Sequence, residues 1–188
     1  MDGENGVARF KKMHKPLRIA MIGPESSGKT SLAKLLSAEF GFALVEEYAR
    51  EYLTSLGRSY ELDDIQSIYQ KQMLIEQEVL GTGVKGIISD TEYINGLVWC
   101  EEKYGVRPSW FVDVIQKQPY NMYLLTSPDL PWVPDPLREN PGKGEYLFER
   151  YKQELERINA IYVVVDGVGE ARLNKAQKAI IQLMSHQQ

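Results

Sequence analysis

Short apolar segments alternate with longer amphipathic segments along most of this chain. Because helices cover both faces of a parallel sheet, its strands read as short apolar runs of this kind. Such runs predict strands at Leu17–Ile22, Phe42–Val45, Gly86–Asp90, Tyr120–Leu125 and Ile161–Val165. The segments between them have the apolar spacing of helices. The alternation predicts an α/β fold in which helices pack on both faces of a parallel sheet.

The amphipathic segments predict a helix after each strand and one additional long helix before the third strand. Gly41 follows the first helix, and Gly81 and Gly83 follow the long one, as glycine often does where helices end. The predicted helices are Ser31–Phe40, Glu46–Leu53, Leu62–Leu80, about 92–104, about 145–157 and about 170–184.

One segment breaks the alternation. Residues 127–144 contain five prolines, so they cannot form a regular helix or strand. A loop of this length inside a compact domain is usually an active-site lid or a disordered stretch. We predict a lid here, within a single domain of residues 17–188 that follows a flexible polar leader of residues 1–16.

Composition narrows the classes of chemistry. The net charge of −4 gives no general reason to bind nucleic acid or an anionic membrane. No apolar run approaches the ~18 residues that span a bilayer, and the N-terminus lacks the apolar core of a signal peptide. Cys100 is the single cysteine, and His14 and His186 lie near the ends. We expect a cytoplasmic protein that uses carboxylates, lysine, arginine and metal.

A phosphate-binding motif lies between the first strand and the first helix. Residues 23–30 read GPESSGKT and match G-x-x-x-x-G-K-[ST] in full. The backbone N–H groups of such a loop and the positive end of the helix surround a phosphate. Lys29 is expected to reach the β- and γ-phosphates, and the Thr30 hydroxyl to hold Mg²⁺. The motif predicts binding of a nucleoside triphosphate by Gly23, Pro24, Glu25, Ser26, Ser27, Gly28, Lys29, Thr30 and Ser31.

Carboxylates follow the second and third strands, at the sheet edge where ligands of open α/β folds bind. Asp90 suits a Mg²⁺ shell or a general base, and also suits the N-cap of the next helix. Glu46 and Glu47 end the second strand, and Arg50 follows one turn later. Either glutamate can deprotonate an acceptor hydroxyl while Arg50 binds phosphate. The alternative is an exposed Glu–Arg pair on a helix surface.

The predicted lid and the last glycine-rich turn add candidate residues. Arg138 can stabilise the transferred phosphoryl group when the lid closes. Trp132 lies among prolines and can stack on a planar ligand or pack on those prolines, with Asp135 nearby. After the fifth strand, Gly167 can read the adenine edge and Arg172 can stack on the base. A plain strand-to-helix turn is the alternative for these last two residues.

Four motifs in this order resemble a known family, the nicotinamide riboside kinase (ribosylnicotinamide kinase) domain of the bifunctional NAD-salvage proteins, which are P-loop kinases. The resemblance covers the chain from about Leu17 to its C-terminus. The matching segments are residues 23–30, Glu46–Tyr52, Ser89–Glu92, and Leu124–Asp135 with Arg138.

The resemblance implies a five-stranded parallel sheet and an ATP- and Mg²⁺-dependent kinase. Such a kinase transfers the γ-phosphoryl group to the 5′-hydroxyl of nicotinamide riboside and releases nicotinamide mononucleotide. It also implies that Asp90 lies beside the acceptor or the metal and that residues 131–135 enclose the nucleoside. In this family an adenylyltransferase domain often precedes the kinase, and sometimes a DNA-binding one. Residues 1–16 are too few for either, so we expect neither activity.

A cationic pyridinium ring suits a pocket of aromatic rings and carboxylates. Tyr48, Tyr52, Trp132 and Asp135 can supply these groups, with Glu47 and Arg50 as further substrate-binding candidates. The alternatives are a kinase of another nucleoside or small metabolite, and an ATPase or nucleotide-binding regulatory module without a small acceptor.

Overall fold

The strands form one sheet in a computed structural model that describes residues 15–117 and 120–186. Its order is β2-β3-β1-β4-β5, and every neighbouring pair is parallel. The bounds are β1 Leu17–Ile22, β2 Ala43–Val45, β3 Gly86–Asp90, β4 Met122–Thr126 and β5 Tyr162–Val165. All five predicted strands are therefore confirmed, with small shifts at their ends.

Helices cover both faces of this sheet. They are α1 Lys29–Phe40, α2 Tyr48–Ser55, α3 Leu62–Gly81, α4 Tyr93–Tyr104, α5 Ser109–Lys117, α6 Gly144–Arg157 and α7 Gly169–Ser185. Side chains alternate across each strand, so Ala20 and Ile22 join one apolar cluster and Ile19 and Met21 join the other. Helices α2 to α6 pack on the first cluster, and α1 and α7 pack on the second.

Helix α5 is the one described helix for which the sequence pattern gave no prediction. Its short apolar face is buried at Phe111, Val114 and Ile115. Phe111 packs against α4 at Gly96, where an added Cβ would lie 2.4 Å from the phenyl ring. The helix is therefore stabilised by a tertiary contact that requires glycine at position 96 in α4. Local periodicity does not reveal such a contact.

A buried carboxylate links α3 to the sheet. Glu76 is 1% exposed, and its oxygens accept hydrogen bonds from Ser89 at 2.5 Å and from Arg18 at 2.9 Å. The Tyr120 hydroxyl donates to the same carboxylate, and Tyr93 lies at 3.4 Å. A buried charge is tolerated when it is paired and hydrogen-bonded in this way, so Glu76 is expected to matter for stability.

The proline-rich segment has no regular element between β4 and α6, as its composition predicts. Residues 1–14 of the predicted leader lie outside the described residues. Within the described ranges, none of the helices is long and apolar enough to cross a bilayer.

Candidate active site

The phosphate loop joins the central strand β1 to α1, which begins at Lys29. The backbone has positive φ at Gly23, Ser26 and Gly28, and this turns the chain tightly between strand and helix. A Cβ at Gly23 would lie 2.4 Å from the Thr126 hydroxyl oxygen, so only glycine fits there. The Ser27 and Thr126 hydroxyl oxygens lie 2.6 Å apart. The loop is therefore fastened to the end of β4.

The Lys29 ammonium group folds back over the loop. It donates to the carbonyl oxygens of Gly23 at 2.9 Å and Pro24 at 2.8 Å. Burial lowers the pKa of Lys29, while the nearby carboxylates of Glu47 and Asp90 act in the opposite direction. The cation is thus held beside both carboxylates, at the place where the motif predicts the phosphates.

Asp90 ends β3 and is 3% exposed. Burial raises the pKa of Asp90, and a hydrogen bond from Thr30 and the charge of Lys29 oppose that rise. The N-cap of α4 is Glu92 instead, whose Oε1 accepts from the Ile94 N–H at 2.9 Å. Asp90 is therefore not the helix cap, and its carboxylate lies beside the phosphate loop.

Glu92 is buried more completely than a capping residue needs to be. It is 1% exposed, and its Oε2 has no hydrogen-bond partner among the described residues. Burial raises the pKa of Glu92 to about 8.

The two glutamates after β2 have different surroundings. Glu47 lines the cleft beside the loop, and the Thr91 hydroxyl donates to it at 3.4 Å. Burial raises the pKa of Glu47, against the charge of Lys29. Glu46 has a side chain that is 73% exposed and pairs with Lys34 at 3.5 Å. Successive side chains at a strand end point to opposite sides. The structure therefore places Glu46 outside the cleft, which corrects its assignment as a catalytic residue.

A cleft of about 670 Å³ extends from the phosphate loop between α2, α4, α6 and the lid. Its far end has both aromatic and acidic walls. The residues that form these walls are Tyr60, Tyr69, Trp99, Tyr151, Glu102 and Glu139. The aromatic residues suit a planar ligand, and Lys103, which also lines the cleft, pairs with Glu139.

Sequence reasoning missed all six of these wall residues, among which Tyr60 and Trp99 contact each other. Their ring centroids lie 5.1 Å apart at 69°, and the Trp99 Nε1–H donates to the Tyr60 hydroxyl at 2.9 Å. The Tyr60 hydroxyl donates to Glu139 at 2.6 Å, and Lys103 donates to Glu139 at 2.9 Å. One signal was available, because Trp99, Glu102 and Lys103 share a face of α4 at helical spacing.

Four predicted substrate residues lie outside the cleft, and two line it. Glu47 and Arg50 line it. Tyr48 packs against Tyr52 with a centroid distance of 6.1 Å. Asp135 pairs with Arg50 at 3.2 Å, and the Trp132 Nε1–H lies 3.3 Å from the Glu25 carboxylate, over the phosphate loop. Tyr48, Tyr52, Trp132 and Asp135 therefore do not line the acceptor side of the cleft. Other aromatic and acidic residues line it instead.

The two candidate arginines have different positions. Arg138 lines the cleft, with Nη1 3.4 Å from the Ser26 hydroxyl oxygen, and it also donates to the Val133 carbonyl. Arg172 is 5% exposed, and its Nη2 donates to the Ser27 carbonyl at 2.6 Å. Arg138 is thus available to a ligand, whereas Arg172 is engaged inside the protein.

Arg172 and Gly167 form a brace rather than a site for a base. Arg172 donates to the Asp129 carboxylate at 2.5 Å and to the Gly167 carbonyl at 2.9 Å. The Gly167 N–H donates to the same carboxylate at 2.5 Å. Because the Arg172 guanidinium is buried and the Gly167 N–H is bonded to Asp129, neither group faces an open site, which corrects the prediction that Arg172 stacks on an adenine and that Gly167 reads its edge.

Oxygen ligands for Mg²⁺ are present beside the loop. In the ranges that the structure describes, no cluster of three or more His, Cys, Asp or Glu side chains could hold a metal alone. Mg²⁺ is usually bound by one or two protein oxygens together with substrate phosphates and water. The Thr30 hydroxyl and the Asp90 carboxylate, which both line the cleft beside the loop, fit that donor set.

A family model described as an AAA domain matches residues 18–172. The chain belongs to the AAA_28 family of AAA domains. Over 124 residues it is 27% identical to the trifunctional NAD biosynthesis/regulator protein NadR of Salmonella typhimurium, an alignment that covers 64% of this chain and 30% of NadR. The resemblance to NAD-salvage proteins is therefore confirmed by homology to NadR. The chain spans less than a third of the length of this relative.

Solved structures confirm the P-loop kinase fold of this AAA_28 member. A NadR protein in complex with NR superimposes with a TM-score of 0.78 at 21% identity, covering 91% of this chain and 52% of that chain. A thymidylate kinase from Ehrlichia chaffeensis superimposes with a TM-score of 0.66 at 13% identity, covering 91% of this chain and 100% of that chain.

Proposed function

We propose that the protein is an ATP- and Mg²⁺-dependent kinase that phosphorylates the 5′-hydroxyl of nicotinamide riboside to give nicotinamide mononucleotide. The observation that carries this proposal is the position of Glu47 and Asp90. Both lie beside Lys29 and line a cleft that continues away from the phosphate loop. A site that only bound or hydrolysed a nucleotide would not need the part of the cleft that continues beyond the loop.

The residues around the loop can carry phosphoryl transfer. Lys29 and the backbone N–H groups of the loop bind the donor phosphates, and Arg138 neutralises charge on the transferred group. The Thr30 hydroxyl and Asp90 would hold Mg²⁺, which neutralises further phosphate charge when bound. Glu47 accepts the proton of the attacking hydroxyl while the new oxygen–phosphorus bond forms and the bond to ADP breaks.

The far end of the cleft supports a nucleoside with a cationic ring as the acceptor. Trp99 and Tyr60 line this part of the cleft with Glu102 and Glu139. The Lys103 ammonium group pairs with Glu139 and lies 3.6 Å from the centre of the Tyr60 ring, so a cation already occupies this wall. Cation–π attraction favours such surroundings for a pyridinium over a neutral base. The NadR protein that was solved with NR has the same fold, which supports the same choice of acceptor. The cytoplasmic location and the lack of nucleic-acid partners stay predictions from composition.

One assay tests the proposal. Purified protein is incubated with ATP, Mg²⁺ and a panel of nucleosides, and phosphorylated products are identified by mass. A Lys29→Met variant prepared in parallel measures the background from contaminating kinases. We expect nicotinamide mononucleotide as the main product. Phosphorylation of another nucleoside instead would refute the acceptor and keep the kinase.

A second candidate is an ATPase or regulatory nucleotide-binding module, which membership of a family of AAA domains also fits. The same assay separates the two, because an ATPase releases ADP and inorganic phosphate with no phosphorylated nucleoside.

A further inference from the structure

Glu25 lies inside the phosphate loop, but its carboxylate faces the lid (residues 127–144). Its Oε1 accepts from the Asn140 N–H at 2.7 Å and lies 3.3 Å from the Trp132 Nε1–H. Its Oε2 accepts from the Glu139 N–H at 3.1 Å. A carboxylate beside bound phosphates is unfavourable because like charges repel. The structure uses this one to hold two consecutive backbone N–H groups of the lid.

The next residue of the loop contacts the other end of the same lid segment. The Ser26 hydroxyl oxygen accepts from the Val133 N–H at 2.9 Å and lies 3.3 Å from the Pro131 carbonyl oxygen. Ser26 has φ of 62°, in the left-handed region that favours glycine. Consecutive loop residues with these contacts therefore fasten the lid at two points, and Arg138 lies between them.

Glu139 joins this attachment to the acceptor wall. Its backbone N–H bonds to Glu25 in the donor loop, and its side chain accepts from Tyr60 at 2.6 Å and from Lys103 at 2.9 Å. Tyr60 in turn accepts from Trp99. One lid residue thus makes charge-assisted contacts on both sides of the cleft.

We propose that Glu25 is a positioning residue for the acceptor. By fastening the lid to the phosphate loop, it holds Glu139, and through it Tyr60, in place at the far end of the cleft. Loss of the Glu25 carboxylate releases the lid at residues 139 and 140, which Ser26 does not hold, and leaves the acceptor wall incomplete, although residue 25 belongs to the donor loop. The effect on the acceptor rests on the proposed kinase function, whereas the attachment of the lid does not.

Hydrogen–deuterium exchange tests the attachment without any substrate. In Glu25→Ala, the amides of Glu139 and Asn140 are expected to exchange at least about tenfold faster, because hydrogen bonds to an ionised group are among the strongest in proteins. Glu145→Gln, the same loss of charge at an exposed site on the adjoining helix, leaves them unchanged. Protection of β3 in the same samples reports that the variant is folded. Equal exchange of these amides in Glu25→Ala and the native protein would overturn the proposal.

Steady-state kinetics test the consequence for the acceptor. We expect Glu25→Ala to raise KM for nicotinamide riboside about tenfold and KM for ATP by less than about threefold. Glu25→Gln keeps one acceptor oxygen, so its KM for nicotinamide riboside should lie between those of Glu25→Ala and the native protein. A rise confined to KM for ATP would overturn the positioning role. If the native protein ignores nicotinamide riboside, the proposed function fails, and the exchange experiment still decides the attachment of the lid.

Discussion

Replacing Glu47 with glutamine tests whether its carboxylate is catalytic or only buried. Glutamine keeps the size of the side chain and its hydrogen bond from Thr91 but cannot accept the proton of the acceptor hydroxyl. General-base catalysis contributes about 10²–10⁴ in rate, or about 3–5 kcal/mol of barrier. Glu46→Gln is the matched control. It removes the same charge at the neighbouring residue, whose side chain is 73% exposed.

The pH dependence gives this prediction its sign. Burial raises the pKa of Glu47, and the negative charge of Asp90 adds to the rise. A base must be ionised to act, so kcat of the native protein falls as the pH drops through that raised pKa. Glu47→Gln should lose this acidic limb, and Glu46→Gln should retain it.

The assay is product formation at saturating ATP and nicotinamide riboside from pH 5 to pH 9. We expect kcat of Glu47→Gln to be about 10²–10⁴ lower than that of the native protein, with KM values changed little. Glu46→Gln should stay within about twofold, because exposed ion pairs contribute little. Equal losses in the two variants, or a full rate for Glu47→Gln, would refute the assignment of the base.

Three further predictions concern buried carboxylates. Asp90→Asn should lower kcat about 10²-fold or more and leave binding of ATP measured by calorimetry nearly intact; a normal rate would remove Asp90 from the site. Glu76→Ala should lower the free energy of unfolding in urea by about 3 kcal/mol, because it leaves the partly buried Arg18 charge unpaired, whereas the exposed Glu78→Ala should change it by about 0.5 kcal/mol or less. Burial raises the pKa of Glu92 to about 8, so the folded state retains a proton that the unfolded chain releases above pH ~4.5. Stability is then lost as the pH rises, by about 2 kcal/mol between pH 6 and pH 8, and Glu92→Gln should abolish this decline in thermal melts; a decline that persists in the variant would contradict the buried charge.

The fold and the donor side of the site could be predicted from the sequence because their signals are local. The apolar runs mark the strands, and the motif at residues 23–30 carries its own strand and helix context. The position of Asp90 beside the phosphate loop could be predicted because the end of a parallel strand defines an edge of the sheet. Even there, the sequence did not decide whether Asp90 binds metal or caps the next helix. The cap at Glu92 became visible only with the backbone path of α4.

The acceptor side could not be predicted in the same way because it depends on how distant segments pack. Glu46 and Glu47 are identical in type, and only the direction of each side chain at the end of β2 separates them. Trp132 is prominent among the prolines of the lid but lies over the phosphate loop. Trp99 looks like an ordinary residue of a buried helix, yet it forms the wall of the cleft with Tyr60, which lies 39 positions away.

Arg172 shows a second limit of local reasoning. An arginine after a glycine turn is chemically suited to stack on a base, and its position in the sequence allows that role. The structure directs its guanidinium into the protein, where it joins the phosphate loop at Ser27 to Asp129 and Gly167. Its burial and its bonds to Ser27, Asp129 and Gly167, rather than its residue type, indicate a structural role.

The most direct test of the central claim is the stoichiometry of ADP and nicotinamide mononucleotide in a single reaction. Native protein is mixed with ATP, Mg²⁺ and nicotinamide riboside, and both products and inorganic phosphate are measured over time. A kinase with Glu47 and Asp90 facing the acceptor predicts equal amounts of ADP and nicotinamide mononucleotide, with little inorganic phosphate. Accumulation of ADP and inorganic phosphate without any phosphorylated riboside would contradict it.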